Sequence, residues 1–278
     1  MIIHSDWHIH SEFSYDAKIP LSEIAEHARE RELRYVGITD HANYNDDKFL
    51  ADLRGSAKAV NAFSKDFPKM ILGVELTPIA KTEFDYIART HTREGYISPP
   101  DTTPFGIELA ASKAELIALG VRYAIGASHW RVDIPRSEWD FSDVGSFIKE
   151  WHRQQMWLAQ DERVTVLGHP WYNGSGLWYE DLSVIPKSMN KELAAALKEN
   201  GKYVECNSGV ICSGKMSEKS RYLYGEMLRE FFECGIPVTY GSDAHKAYTD
   251  DREGVEKYLL AAGFREGDIS EISDKDLW

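Results

Sequence analysis

Met70-Ile71-Leu72-Gly73-Val74-Glu75-Leu76 is a short apolar run of strand length that delivers one carboxylate near its C-terminal end. The same construction recurs along the chain. Ile2 to Ile9 runs into His8-Ile9-His10, with Asp16 shortly after, and Tyr35 to Thr39 runs into Thr39-Asp40-His41. Tyr123 to Ser128 leads to Ser128-His129-Trp130, Val164 to Gly168 to Gly168-His169-Pro170, and Val238 to Gly241 to Ser242-Asp243-Ala244-His245. Six histidines and three carboxylates thus fall, in order, at or just beyond the ends of strand-like segments. One H-x-H pair alone usually means no more than a hydrogen-bonded imidazole. Repetition at strand ends is what points to metal, because parallel barrels build their sites there.

Strand side chains alternate faces, so residues two apart point the same way. His8 and His10 can therefore share one ion, and Asp243 and His245 repeat the arrangement near the other end of the chain. Gly241 and Ser242 let the backbone turn where those side chains must converge. Closing a barrel brings the first and last strands together.

Segments with helical spacing lie between the strands: Leu21 to Arg31, Asp47 to Phe67, Leu109 to Leu119, Val144 to Gln160, Lys191 to Glu199, Glu218 to Glu233 and Arg252 to Ala262. With a further strand at Tyr203 to Glu205, the alternation gives about seven βα units of an α/β fold. Gly120, Gly201, Gly235 and Gly263 stand where helices should stop. A right-handed parallel barrel follows, with an open doubly wound sheet as the alternative. Two stretches break the alternation, Ile79 to Glu108 and Trp171 to Met189, and long loops on the ligand-bearing side serve as lids or substrate walls. In the second, Trp171, Tyr172, Trp178 and Tyr179 either stack on a planar substrate group or form a small core for the loop itself.

A chain of 278 residues suits a single barrel, and no linker or low-complexity tract divides it, so residues 1–278 are expected to form one domain. No apolar run approaches the ~18 residues of a bilayer span, and the first residues lack a signal-peptide pattern; a cytoplasmic protein without a membrane partner is expected. Cys206, Cys212 and Cys234 form no C-x-x-C spacing and agree with that. A formal charge of −13 argues against holding long nucleic acid through phosphate contacts. Bound divalent ions would restore positive charge where an anionic substrate docks.

The ordered set H-x-H, D, T-D-H, G-V-E, S-H-W, G-H-P, S-D-A-H resembles the polymerase and histidinol phosphatase (PHP) superfamily over essentially the whole chain, and is similar to its histidinol phosphate phosphatases. The resemblance implies a distorted seven-stranded TIM-like (β/α) barrel holding two or three divalent ions (zinc, manganese or iron) and hydrolysing phosphate esters. Carried over by position, His8 and His10 ligate one ion with Glu75 and Asp243. Glu75 bridges to a second ion held by His129 and His169, and Asp16, His41 and His245 hold a third. Some members have histidine at the position of Asp16, and a carboxylate there suits a harder ion. His4, His27, His91 and His152 match no family position, and His91, inside a lid candidate, is the histidine most easily mistaken for a ligand.

The chemistry implied is hydrolysis of a small phosphate monoester by a metal-activated hydroxide, with Glu75 and Asp243 as catalytic carboxylates. Arg131, Lys215, Arg221 and Lys246 are the candidate substrate-binding cations. Histidinol phosphatases of the superfamily often place an arginine shortly after the sixth-strand turn; here Val210-Ile211-Cys212 follows Asn207-Ser208-Gly209, with the first cation at Lys215. Competing readings are a nucleotide-directed phosphodiesterase or exonuclease, and a catalytically silent metal-binding module. A metal-dependent amidohydrolase is disfavoured, since no lysine ends the fourth strand to become a bridging carbamate.

Overall fold

Burial in this chain sorts on the two-residue period of its strands. Met70, Leu72, Val74 and Leu76 join the large core facing the helices, whereas Ile71 packs with an inner cluster and Gly73 and Glu75 continue its face. Tyr123 and Ile125 likewise point inward, beside Trp7, Val166 and Tyr203, while Ala124 points out. The computed structural model describes residues 2–63, 70–99, 105–248 and 251–278. Within them Asp6–Ile9, Val36–Ile38, Met70–Leu76, Tyr123–Gly126, Val166–Leu167, Tyr203–Asn207 and Val238–Gly241 pair in parallel, in that order.

The sheet curls until its ends meet. Ile9 bridges Ala244, Asp243 N–H donates to His8 C=O at 2.7 Å, and His10 N–H donates to Ala244 C=O at 3.1 Å. The result is a nearly closed seven-stranded barrel, as expected, with the ligand-bearing strand ends at one mouth. Its other end is filled solid. The Tyr123 ring lies across the lumen and donates its hydroxyl to Trp7 C=O at 2.6 Å, in space kept by two glycines. A Cβ on Gly37 would fall 1.8 Å from the Tyr123 hydroxyl, and one on Gly73 would fall 2.6 Å from the ring. Ile272 and Leu277, near the C-terminus, pack against this plug.

Helix limits follow local chemistry. Gly120, Gly201, Gly235 and Gly263 all take positive φ, as their stop positions predict. The helix expected from Leu109 begins at Lys113, because Ser112 and Glu115 form a reciprocal capping box and Ile107–Glu108 is used in a small antiparallel pair with Ile79–Ala80. Between that pair, the Ile79 to Glu108 excursion contains the helix Lys81–Thr90. The helix expected from Lys191 starts earlier, at Lys187, directly after Pro186. The first strand shortens to Asp6–Ile9, since the Ile2 and Ile3 N–H groups donate to Glu256 instead of to a neighbouring strand. The end of the helix expected to reach Phe67 lies outside the described residues, as does the Pro100 to Pro104 part of the first excursion.

Gly73→Ala is expected to lower stability by roughly 2 kcal/mol, the cost of overpacking a filled interior. Gly214, with no atom within 4 Å of a Cβ, serves as the control: Gly214→Ala should stay within about 0.5 kcal/mol. Urea midpoints of the two variants against the parent check both.

Candidate metal centre

Four side chains from three strands meet at the mouth. His8 Nε2 and His10 Nε2 are 3.1 Å apart; Glu75 Oε2 lies 3.5 and 3.4 Å from them, and Asp243 Oδ1 3.5 and 3.2 Å. A tetrahedral ion with bonds of about 2.0–2.1 Å has ligand–ligand edges of about 3.3 Å, which these five separations bracket. The other oxygen of Glu75 serves a second group, with His169 Nε2 at 3.0 Å and His129 Nε2 at 3.4 Å. Asp16 Oδ2, His41 Nε2 and His245 Nε2 form a third, a triangle with sides of 3.4, 3.5 and 3.4 Å. His10 also belongs to this third neighbourhood, its ring centred 4.3 Å from that of His41 and 4.1 Å from that of His245. All nine sequence-predicted ligands are therefore brought together.

The outer ring nitrogens decide what the inner ones can do. His8 Nδ1 lies 2.7 Å from Glu205 Oε1, and His245 Nδ1 lies 2.8 Å from Asp243 C=O; neither oxygen can donate, so each Nδ1 carries the proton. His129 Nδ1 lies 3.0 Å from Thr77 Oγ1, whose own proton goes to Asn43 at 2.5 Å. Three Nε2 lone pairs are thereby turned toward carboxylate oxygens, an arrangement that is repulsive until a cation sits between them. Glu75 Oε2 is completely buried, and His41 Nδ1 comes within 2.7 Å of it, so His41 stands between the first and third groups. The donor set of imidazole and carboxylate thus fits divalent zinc, manganese or iron.

The local field agrees. Burial pushes the Glu75 carboxyl up, but His41, His129 and His8 outweigh it and hold it well below the usual range. Burial likewise raises Asp243 and is overcome by His8 and His10. Burial and His41 drive His10 down to about 3, so its ring stays neutral. Burial lowers His8 too, yet Glu205, Asp243 and Glu75 raise it well above its ordinary value. A divalent ion takes the place of such a proton.

Three buried carboxylates outside the ligand set hold the mouth in shape, and sequence reasoning missed them in that role. Glu205 Oε2 accepts from His169 N–H at 2.6 Å and from Asn207 Nδ2 at 3.1 Å, while its partner oxygen holds His8. Asp6 accepts from His8 N–H, Ser242 N–H and the Tyr248 hydroxyl, and burial pushes its carboxyl up to about 6. Asp40 accepts from the Ser11 N–H and hydroxyl and from the Ser56 hydroxyl. Two candidate ligands, His169 at φ 24° and Asp243 at φ 56°, occupy the left-handed region, where this network must hold them. Glu205 was legible in principle, since it shares a strand face with Asn207 and the inward Tyr203.

The predicted substrate cations are placed less uniformly. Arg131 is buried and bidentate to Asp133, at 2.8 and 2.5 Å, with its guanidinium 4.7 Å above the Phe147 ring. Lys215 donates to Gly174 C=O at 2.7 Å. Arg221 reaches Ser213 C=O and the Glu218 carboxylate, none of which is a site residue. Lys246 is exposed directly after His245. His91 caps the helix Lys81–Thr90 and lies exposed, 3.4 Å from Asp47, apart from the centre. In the Trp171 to Met189 excursion, Trp171, Trp178 and Tyr179 are buried in the main core. Only Tyr172 of that aromatic set turns to the centre, its ring 4.8 Å from His169 and 5.9 Å from His129. A cavity of about 500 Å³ opens from His129 past Trp130 and Arg131.

Residues 6–209 match the family described as the PHP domain. Among solved structures, the histidinol phosphate phosphatase of Lactococcus lactis subsp. lactis Il1403, complexed with zinc, L-histidinol and phosphate, aligns with a TM-score of 0.63 and 18% identity over 99% of this chain and 98% of that one. It shares the fold. A Xaa-Pro dipeptidase with bound methionine aligns at 0.41, with 13% identity over 94% of this chain and 70% of that one. A hyperthermophilic endo-beta-1,4-glucanase aligns at 0.46, with 13% identity over 92% and 85%. Neither of the latter two is close enough to bear on this chain. No curated protein matches it in sequence.

Elemental analysis after reconstitution is expected to find more than one divalent ion per chain, and saturation at one would reject the multinuclear arrangement. Glu205→Gln, which releases His8, should weaken metal affinity by about 10- to 100-fold. His91→Ala should leave metal content unchanged.

Proposed function

The chain belongs to the PHP domain family, and from that premise we propose that it is a metal-dependent phosphoesterase hydrolysing a small phosphate monoester. The observation that carries the reading is Glu75, whose two oxygens face two different ligand groups from a fully buried position. His8, His10, Glu75 and Asp243 would hold one ion, Glu75, His129 and His169 a second, and Asp16, His41 and His245 a third. Divalent ions bound there would lower the pKa of a water from 15.7 toward roughly 7 and would offer positive charge to the phosphate oxygens.

The chain's own residues do the rest. Glu75, immobile and ionised, fixes the spacing between the first two groups. Asp243 is the more open carboxylate, with its Oδ2 3.3 Å from the Asn207 amide, and is placed to exchange a proton with the entering water or the departing alcohol. Tyr172 and Trp130, beside His129, exclude water from the flank of the site. Of the four candidate cations, Lys246 has the freest approach to a phosphate, because it follows His245 and has no ion pair among the described residues. Arg131, neutralised by Asp133, shapes the cavity wall instead. The small phosphate monoester is supported by the fold the chain shares with a phosphatase solved with L-histidinol and phosphate, and by the net charge of −13, which disfavours holding a long strand through its phosphates.

Metal-reconstituted enzyme should turn over sugar, amino-alcohol or nucleoside monophosphates with higher kcat/KM than single-stranded oligonucleotides. Clear preference for oligonucleotides at physiological salt would move the assignment to an exonuclease. Glu75→Gln should cut turnover by about a hundredfold or more while leaving the circular dichroism spectrum intact.

A further inference from the structure

The cavity that opens from His129 has walls whose charges are not balanced, and this bears on which alcohol the phosphate is attached to. Two of its arginines are already answered. Arg93 pairs with the buried Glu83 at 2.5 Å and lies 4.5 Å over the Tyr44 ring, and Arg131 is bidentate to Asp133. The third, Arg136, is exposed at the rim, 5.4 Å over the Trp139 ring, with no carboxylate partner among the described residues. Glu83 is the only acidic side chain on the described wall, and Arg93 occupies it. An ammonium group entering the cavity would find no unpaired carboxylate among the described wall residues; a carboxylate would find Arg136.

Shape adds a second constraint. Tyr44 and Trp130 stack on each other at 5.7 Å with 11° between their planes, and Trp139 and Phe147 extend the apolar lining. Aromatic walls of this kind favour a flat, apolar body with its polar group at the edge. The volume of about 500 Å³ accommodates a drug-sized group beyond the phosphate.

Resting on the phosphoesterase reading, we propose that the physiological substrate is a phosphomonoester whose alcohol part is planar and carries a second anionic group, received by Arg136 at the rim of this cavity. Hydrolysis adds water across the P–O bond and releases inorganic phosphate and the protonated alcohol. The anion on the alcohol takes no part in that step and serves to seat it. This separates the protein from enzymes acting on phosphorylated amino alcohols, whose leaving group is cationic.

Phenyl phosphate and three non-hydrolysable probes, phenylphosphonate, 4-carboxyphenylphosphonate and 4-(aminomethyl)phenylphosphonate, test the two readings apart. Metal-reconstituted enzyme should hydrolyse phenyl phosphate and bind the carboxylated phosphonate about five- to tenfold tighter than the plain one, as expected of one charge-assisted contact. 4-(Aminomethyl)phenylphosphonate should bind more weakly than either. In Arg136→Ala the ratio of inhibition constants should fall to near one, Arg136→Lys should keep part of it, and Arg136→Glu should reverse it toward the aminomethyl probe. Turnover of phenyl phosphate with no carboxylate preference, or a preference unmoved in Arg136→Ala, overturns this inference and leaves the phosphoesterase reading standing. No turnover of phenyl phosphate or of any other monoester rejects the phosphoesterase reading, and this inference with it.

Discussion

Glu75 is an ionised carboxylate sealed from water, and its Oε2 faces the rings of His8, His10 and His41, the nearest nitrogen being His41 Nδ1 at 2.7 Å. Removing such a charge from water costs several kcal/mol unless opposite charge is brought to it. The chain brings imidazoles: His8, His10, His41, His129 and His169 all place a ring nitrogen within 3.5 Å of Glu75. Imidazoles alone do not solve the problem, because several have their proton committed on the far side of the ring and offer a lone pair inward. The mouth of the barrel is thus a set of electron pairs around a buried negative charge, and divalent cations are what such a set accommodates.

Glu205 turns the His8 lone pair inward, as the Asp243 carbonyl does for His245 and Thr77 for His129, and it ties strands together as well. It stands in the sixth strand, which contributes no ligand of its own, and joins the first strand through His8 and the fifth through the His169 N–H. Gly241 in the seventh strand is shaped around it: a Cβ there would lie 2.0 Å from Glu205 Oε1 and 2.5 Å from His8 Cβ. Asp6 and Asp40 act comparably on backbone, drawing the 242 and 11 segments against the first and second strands. Each is a buried acceptor satisfied by two or three donors, which is the condition under which a buried carboxylate stiffens a structure instead of weakening it.

The convergence of the nine candidate ligands was readable because these residues are rare, chemically distinctive and spaced by whole βα units, so strand period and order sufficed. Glu205 obeys the same period, but Glu in an apolar strand has many uses, and its value lies in contacts to His8 and His169, far off in sequence. Loop side chains follow no period at all. Arg131 sits next to His129 and Trp130 in sequence, yet Asp133, two residues on, claims its guanidinium, a local pairing that adjacency to a ligand does not reveal. The cavity walls come from Tyr44, the 129–141 loop and the Ile79 to Glu108 excursion, segments whose meeting only the closed barrel determines. Trp171 and Trp178 went to the core because each indole N–H found an internal acceptor, Asn190 and the Trp171 carbonyl.

Fold and site constrain each other in both directions. At the filled end, Tyr123 and the glycines that make room for it keep water from the lumen, so that charges at the open end interact across a medium less polar than bulk solvent. At the open end, candidate ligands or their anchors come from all seven strands: His8 and His10, His41, Glu75, His129, His169, Glu205, and Asp243 with His245. The first and last strands are joined by few backbone bonds, chiefly those of His8, His10, Asp243 and Ala244. Three of the residues that close the barrel, His8, His10 and Asp243, are therefore also candidate ligands of one ion. An ion shared by His8, His10 and Asp243 would add a link across that seam, so that metal affinity and closure of the barrel would draw on the same free energy.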